Sequence, residues 1–86
     1  DLLIDGEIVL YGLVGTSEFG DGFTSTEVVG ALARHGHLRD VNVRINSPGG
    51  AVTEGIAIFN ALKAHRGRVT VTVDAVAASA ASMIAM

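Results

Sequence analysis

The sequence contains no cysteine, which excludes a disulfide, a thiolate metal ligand and a cysteine nucleophile at once. That absence fits a reducing cytoplasm. Lysine is nearly missing as well. Lys63 is the single one, and the six Lys and Arg residues are scattered among nine Asp and Glu, for a formal net charge of −3. Such a balance predicts no nucleic-acid surface and no attachment to an anionic membrane. No basic N-terminal stretch runs into an apolar segment, so no signal peptide is expected. The longest apolar tract, Ala75 to Met86, is broken by Ser79 and Ser82. It falls short of the roughly 20 residues that a membrane-spanning helix needs and reads as buried interior. What remains is a chain of 86 residues, 49% of them hydrophobic, which suits one small domain or a piece of a larger one. A chain of this size buries roughly 60–65% of the surface its unfolded form exposes.

The apolar pattern alternates between two periods. Leu2-Leu3-Ile4, a turn at Asp5-Gly6 and Ile8-Val9-Leu10-Tyr11 predict two short strands or a hairpin. Gly12, Gly15, Gly20 and Gly22, with Thr16, Ser17 and Asp21 among them, predict a loop. Thr24 followed by Glu27 has the spacing of a capping box, in which the hydroxyl meets an orphan N–H and the carboxylate reaches back to the cap. Val28, Val29 and Leu32 continue as a helical stripe that Gly36 closes. Val41, Val43 and Ile45 alternate with Asn42 and Arg44 as a strand. Val52, Ile56, Phe59 and Leu62 then fall at helical spacing. Lys63, His65 and Arg66 stand in the last turn against the negative end of the helix dipole, and Gly67 ends the helix. Val69, Val71 and Val73 alternate with Thr70 and Thr72 as a further strand, and the Ala-rich segment from Ala75 begins another buried helix. Strands alternating with helices predict an α/β fold with largely parallel strands. Met83-Ile84-Ala85-Met86 ends that helix with no cap, no Gly and no polar tail, which predicts a truncated domain.

Two places carry chemistry: the loop Asn46-Ser47-Pro48-Gly49-Gly50 and the turn Ala75-Val76-Ala77-Ala78-Ser79. Each follows a strand and precedes a helix, at the edge where open α/β sheets bind ligands. Paired glycines let backbone N–H groups face a ligand, and the following helix adds its positive end. Such a loop suits a phosphate or the oxyanion of an acyl-transfer intermediate. The same Pro-Gly-Gly also reads as a plain turn. Ser79 lies among Ala77, Ala78, Ala80 and Ala81, small neighbours that permit a sharp turn exposing a hydroxyl nucleophile. They equally permit close helix packing with Ser79 as an N-cap. Ser82 competes for the nucleophile's role and is placed in the interior. His35 and His37 flank Gly36 and His65 lies in a basic helix end, so all three read as surface or capping residues. A His-x-His pair without a third ligand predicts no metal site.

Taken together, Arg44-Ile45-Asn46-Ser47-Pro48-Gly49-Gly50, Ile56-Ala57-Ile58-Phe59-Asn60-Ala61-Leu62 and Ala77-Ala78-Ser79 resemble the ClpP family of serine peptidases. The sequence looks most like the ClpP-related peptidases of phages and prophages. The resemblance covers residues 2–86, with Ser79 twenty-nine positions after Gly50. It implies the ClpP/crotonase-like β-α spiral, with residues 1–86 as the N-terminal part of a single peptidase domain. It implies that Ser79 is the nucleophile and that the backbone N–H groups of Gly50 and Ala80 form the oxyanion hole. Gly49, Ala51 and Val52 would bind an extended peptide by strand addition. No cofactor and no metal are implied. The implied partners are a protein or peptide substrate, further copies in a homo-oligomeric ring and an AAA+ unfoldase, or phage capsid proteins where head maturation is the task. The implied location is the cytoplasm of a bacterium or of a phage-infected host. The family usually has Gly where Ala75 stands and often Met where Ala80 stands. Its catalytic His and Asp follow the nucleophile, whereas the seven residues after Ser79 include no His, Asp or Glu. A serine without a base is a poor nucleophile, so these residues alone are expected to be inactive.

Three other readings use the same residues differently. A Ser–Lys dyad peptidase of the signal-peptide-peptidase type would need a base, and Lys63 is the only lysine. A crotonase-type acyl-CoA enzyme would hold a thioester enolate at the glycine loop and leave Ser79 idle. A non-catalytic assembly module would keep the fold for subunit packing.

Overall fold

A computed structural model describes residues 2–15, 22–77 and 79–85. The predicted loop between Gly15 and Gly22 thus lies largely outside the described residues, as does Ala78. The chain opens with the hairpin β1 (Leu3–Ile4) and β2 (Glu7–Tyr11), paired antiparallel with Ile4 opposite Glu7. Asp5 and Gly6 both have positive φ, 51° and 80°. Two such residues make the mirror-image turn whose twist matches that of the flanking strands. Two short strands that the glycine pattern did not reveal follow: β3 (Leu13–Val14) and β4 (Gly22–Phe23), parallel to each other in a small second sheet. At two residues each, they are too short for any alternation to register.

Helix α1 (Ser25–His35) carries both halves of the Thr24/Glu27 capping box, and Gly36 closes it with its N–H on the Leu32 carbonyl. Val28 and Leu32 are buried as expected, but Val29 points outward. Strand β5 (Val41–Ser47) buries alternate residues, and helix α2 (Val52–Ala64) follows it. The buried side of α2 is Gly55, Ile58 and Leu62, whereas Val52 and Ile56 are 52% and 42% exposed. The predicted stripe of Val52, Ile56, Phe59 and Leu62 is therefore displaced around the helix. Apolar residues occur on several sides of α2, so spacing alone could not choose the face turned to the core. Gly67 does not end α2, which stops at Ala64 with His65 as its cap. It serves a close approach instead, since a Cβ there would lie 2.1 Å from the Arg39 carbonyl oxygen.

Strand β6 (Val69–Ala77) runs four residues further than the valine pattern, and α3 begins only at Ala80 (Ala80–Ala85). Ala75 is thus strand, not helix, because parallel pairing to β5 carries the chain through it. The main sheet has the order β1-β2-β5-β6, with β2, β5 and β6 mutually parallel. Ile8, Leu10, Val41, Val43 and Ile45 from its strands form one buried cluster with Phe23, Val28, Ile58, Leu62, Ala81 and Ile84. That core, built from one face of the sheet and all three helices, fixes where the strand ends lie.

Candidate active site

Parallel pairing brings the two predicted loops to one edge. Ser47, the last residue of β5, is in register with Ala77, the last of β6. Neighbouring strands lie about 4.8 Å apart, so the chain leaving toward Gly50 and the chain leaving toward Ser79 emerge side by side. Between Ile45↔Val73 and Ser47↔Ala77, β6 uses two more residues than β5. Such a bulge re-aims the strand end that carries it.

The Ser47–Gly50 loop is held by its own hydroxyl. Ser47 is fully buried, and its Oγ accepts from the Gly49 N–H at 3.2 Å. This role was not read from the sequence, although a serine two residues before a glycine is a known local turn former. The loop then hooks onto β3. Val14 donates to the Gly49 carbonyl at 2.9 Å, and Ala51 donates to the Val14 carbonyl at 2.8 Å. In this parallel bridge between Val14 and Gly50, the flanking residues make the bonds. Gly50 therefore turns its own N–H and C=O away from Val14, and it is exposed. A Cβ on Gly50 would lie 2.2 Å from the Val14 oxygen, and φ is +149°, so only glycine fits.

Gly49, Ala51 and Val52, the residues expected to bind an extended peptide, continue the chain on either side of Gly50 into α2. Gly49 is buried, its N–H on the Ser47 Oγ and its carbonyl accepting from Val14 of β3, and Ala51 donates its N–H to the Val14 carbonyl and accepts from the Gly55 N–H. Val52 is already helical.

Ser79 is the residue of this edge under backbone strain. It is exposed, in a turn, with φ +52°. A non-glycine residue in the left-handed region is uncommon and, outside Asn and Asp, costs about 1–3 kcal/mol. The Ser79 carbonyl is held from α3 by the Ser82 N–H at 3.0 Å and the Ser82 Oγ at 2.6 Å. Ser82 is thus exposed and supports the turn, not interior as expected; α3 turns Ala81 and Ile84 inward. Ala80 is the first residue of α3, where an N–H has no intrahelical acceptor. Ala75, where the family usually has Gly, has strand backbone, so no left-handed conformation is asked of it.

The histidines stand at the opposite edge. His35 is buried with Nε2 on the Asp40 carbonyl at 2.8 Å, and His65 Nε2 lies 2.7 Å from the Arg39 carbonyl. Both brace the α1–β5 loop. His37 lines a cleft of about 720 Å³ with Gly36, Leu38, Arg39, Ala64 and Arg66, also before the strands begin. Lys63, on α2, has its Nζ 5.9 Å from the centre of the Phe59 ring. The strongest electrostatic cluster covers the sheet face away from the core. Arg44 makes a bidentate contact with Asp74, Nη2 at 2.8 Å and Nε at 3.1 Å, and Tyr11 donates its hydroxyl to the same carboxylate. The Arg44 and then the Tyr11 hydrogen bonds hold the Asp74 carboxyl below the ordinary range, and the bond to Asp74 raises the Tyr11 phenol. Among the described residues there is no group of three His, Asp or Glu fit to hold a metal ion. No helix among them is long and apolar enough to cross a membrane.

Comparison with known proteins gives this geometry a context. The family model for Clp protease matches residues 4–86. No curated protein matches the chain. Among solved structures, a mutant of ClpP1 from Listeria monocytogenes is similar with a TM-score of 0.77 and 23% identity. The match covers 92% of this chain and 44% of that one. At that identity the likeness shows the fold, and the chain spans less than half the length of its structural relative.

Proposed function

The chain belongs to the Clp protease family, and we propose on that premise that it supplies the nucleophile and oxyanion hole of a serine peptidase. The observation that carries the proposal is the exposed Ser79 at φ +52°, on the edge where Gly50 turns a backbone N–H outward. A fold keeps a strained serine where its hydroxyl must be presented. In the proposed reaction the Ser79 Oγ attacks a peptide carbonyl and its proton passes to a base. The carbonyl oxygen becomes an oxyanion between the Gly50 and Ala80 N–H groups; the base then gives its proton to the departing amine as the acyl-enzyme forms, and water releases the acyl group from Ser79. One aimed donor is worth about 3 kcal/mol of barrier. The base and the acid that orients it are proposed to lie outside these 86 residues, because the described histidines sit at the other edge of the sheet.

The same family reading extends to assembly as a homo-oligomeric ring in the cytoplasm, fed by an AAA+ unfoldase in the ATP-dependent manner. Capsid or scaffold proteins are the substrates to try first if the source is a phage or prophage. The test is hydrolysis of a fluorogenic peptide by the native full-length protein. Cleavage is expected in the wild type and lost in Ser79→Ala. Cleavage that persists in Ser79→Ala would sink the assignment, and acyl-CoA binding indifferent to Ser79→Ala would support the crotonase alternative.

A further inference from the structure

We infer that Glu54 is a positioning residue for the oxyanion loop, acting through Ser25 at the start of α1; this rests on the peptidase reading above. Glu54 stands in the first turn of α2, half-buried, four residues after Gly50. Its two carboxylate oxygens are both used across the fold. Oε1 accepts from the Ser25 backbone N–H at 2.8 Å and Oε2 from the Ser25 Oγ at 2.9 Å. Ser25 is the first residue of α1, so the carboxylate answers an N–H that has no partner in its own helix. Charged acceptors make the stronger hydrogen bonds, and the positive end of α1 offsets the negative charge that α2 would otherwise carry beside an oxyanion.

The contact closes a ring of connections around Gly50. Gly50 is bridged to Val14 of β3, and β3 pairs with β4 through Val14 and Phe23. Gly15 reinforces that pairing with an N–H on the Phe23 carbonyl at 2.7 Å. Strand β4 leads through Thr24 directly into Ser25, and Ser25 returns to α2 through Glu54. Without the Glu54 link, α2 could shift away from α1 and draw Ala51 and Gly50 with it. Gly15 shows how tightly the ring is drawn, since a Cβ there would lie 2.7 Å from Ala51 Cβ and 3.3 Å from Glu54 Cγ. A donor aimed at a developing charge loses effect with small displacements. Glu54 therefore governs how well the Gly50 N–H meets the oxyanion, not how tightly a peptide binds.

The test uses the native full-length protein, a fluorogenic peptide and a peptide boronate, whose tetrahedral serine adduct carries the negative charge of the oxyanion. Glu54→Ala is expected to lower kcat about tenfold with KM within about twofold. Boronate affinity should fall by a similar factor. Glu54→Gln should recover most of both, because its amide oxygen still accepts from the Ser25 N–H. Ser25→Ala, which keeps that N–H and loses the hydroxyl, should fall between them. Thermal unfolding of each variant separates positioning from folding, and Glu54→Gln and Ser25→Ala carry the test if Glu54→Ala does not fold. Unchanged kcat and boronate affinity across the variants would overturn the inference, as would losses that merely follow the unfolded fraction. A wild type that neither cleaves the peptide nor binds the boronate would instead remove the peptidase reading, and this inference with it.

Discussion

The loop after β5 and the turn after β6 leave the same edge of one sheet, and both hold residues in backbone conformations that L side chains rarely adopt. At Gly50 the cause is another strand: the Val14 carbonyl occupies the space a Cβ would take. At Ser79 there is a side chain, and φ is +52° nevertheless. The first loop lacks a side chain where β3 leaves no room for one. The second keeps a hydroxyl side chain in a left-handed conformation, at a cost in strain. Their restraints differ accordingly. Gly50 is bridged to β3 and anchored through Ser47, Ala51 and Glu54, whereas the Ser79 carbonyl is tied locally to Ser82. Under the proposed function, the donor would rest on long-range bracing and the nucleophile on one tight turn.

Substitutions can break that contrast in order of severity. Gly50→Ala should have the largest effect, destabilising the protein by about 3 kcal/mol or more, since neither β3 nor the backbone conformation can yield cheaply. A denaturant midpoint close to wild type would show that the loop is not pressed on Val14. Ser79→Gly should act in the opposite direction and raise stability by about 1 kcal/mol through relief of left-handed strain, less the entropy of the freer unfolded chain. It should abolish catalysis, and a loss of stability would mean that the turn is unstrained. Ser82→Ala should lower stability by about 0.5 kcal/mol, as expected for one exposed hydroxyl bond, while leaving labelling of Ser79 intact.

The smallest effect concerns the outer sheet face, which serves neither loop. Tyr11 is raised by its bond to Asp74, so its contribution is present below the ordinary tyrosine range and is lost as pH rises through the raised value. Asp74 is lowered by Arg44 and Tyr11, so its contribution is present above the ordinary carboxylate range and is lost as pH falls through the lowered value. Tyr11→Phe should flatten the alkaline limb of a stability–pH profile. Superimposable alkaline limbs for variant and wild type would deny the Tyr11–Asp74 coupling.

The sequence announced its elements where a physical signal repeats over several residues. Thr24 and Glu27 announced α1, and the Val41/Val43/Ile45 and Val69/Val71/Val73 alternations announced β5 and β6. The glycine pair and the serine were also legible as leaving one edge of the sheet, because strand–loop–helix order fixes where such loops emerge in a parallel sheet. Other features were not legible because they depend on partners distant in sequence. Strands β3 and β4 exist through each other and through Gly50. The buried face of α2 was chosen by its neighbours, α1 and α3 above all, not by its own apolar spacing. The end of β6 was set by pairing with β5, which holds Ala75 in a strand despite its helix propensity. The hydroxyls of Ser47 and Ser82 hold the two loops through local bonds, which no repeated pattern in the sequence marks.

Ser79 as nucleophile is tested most directly by treating the native full-length protein with a fluorophosphonate and mapping the modified residue by peptide mass spectrometry. Label is expected on Ser79, on no residue of Ser79→Ala, and still on Ser79 in Ser82→Ala. Label on Ser82, or on no serine of the wild type, would contradict that assignment.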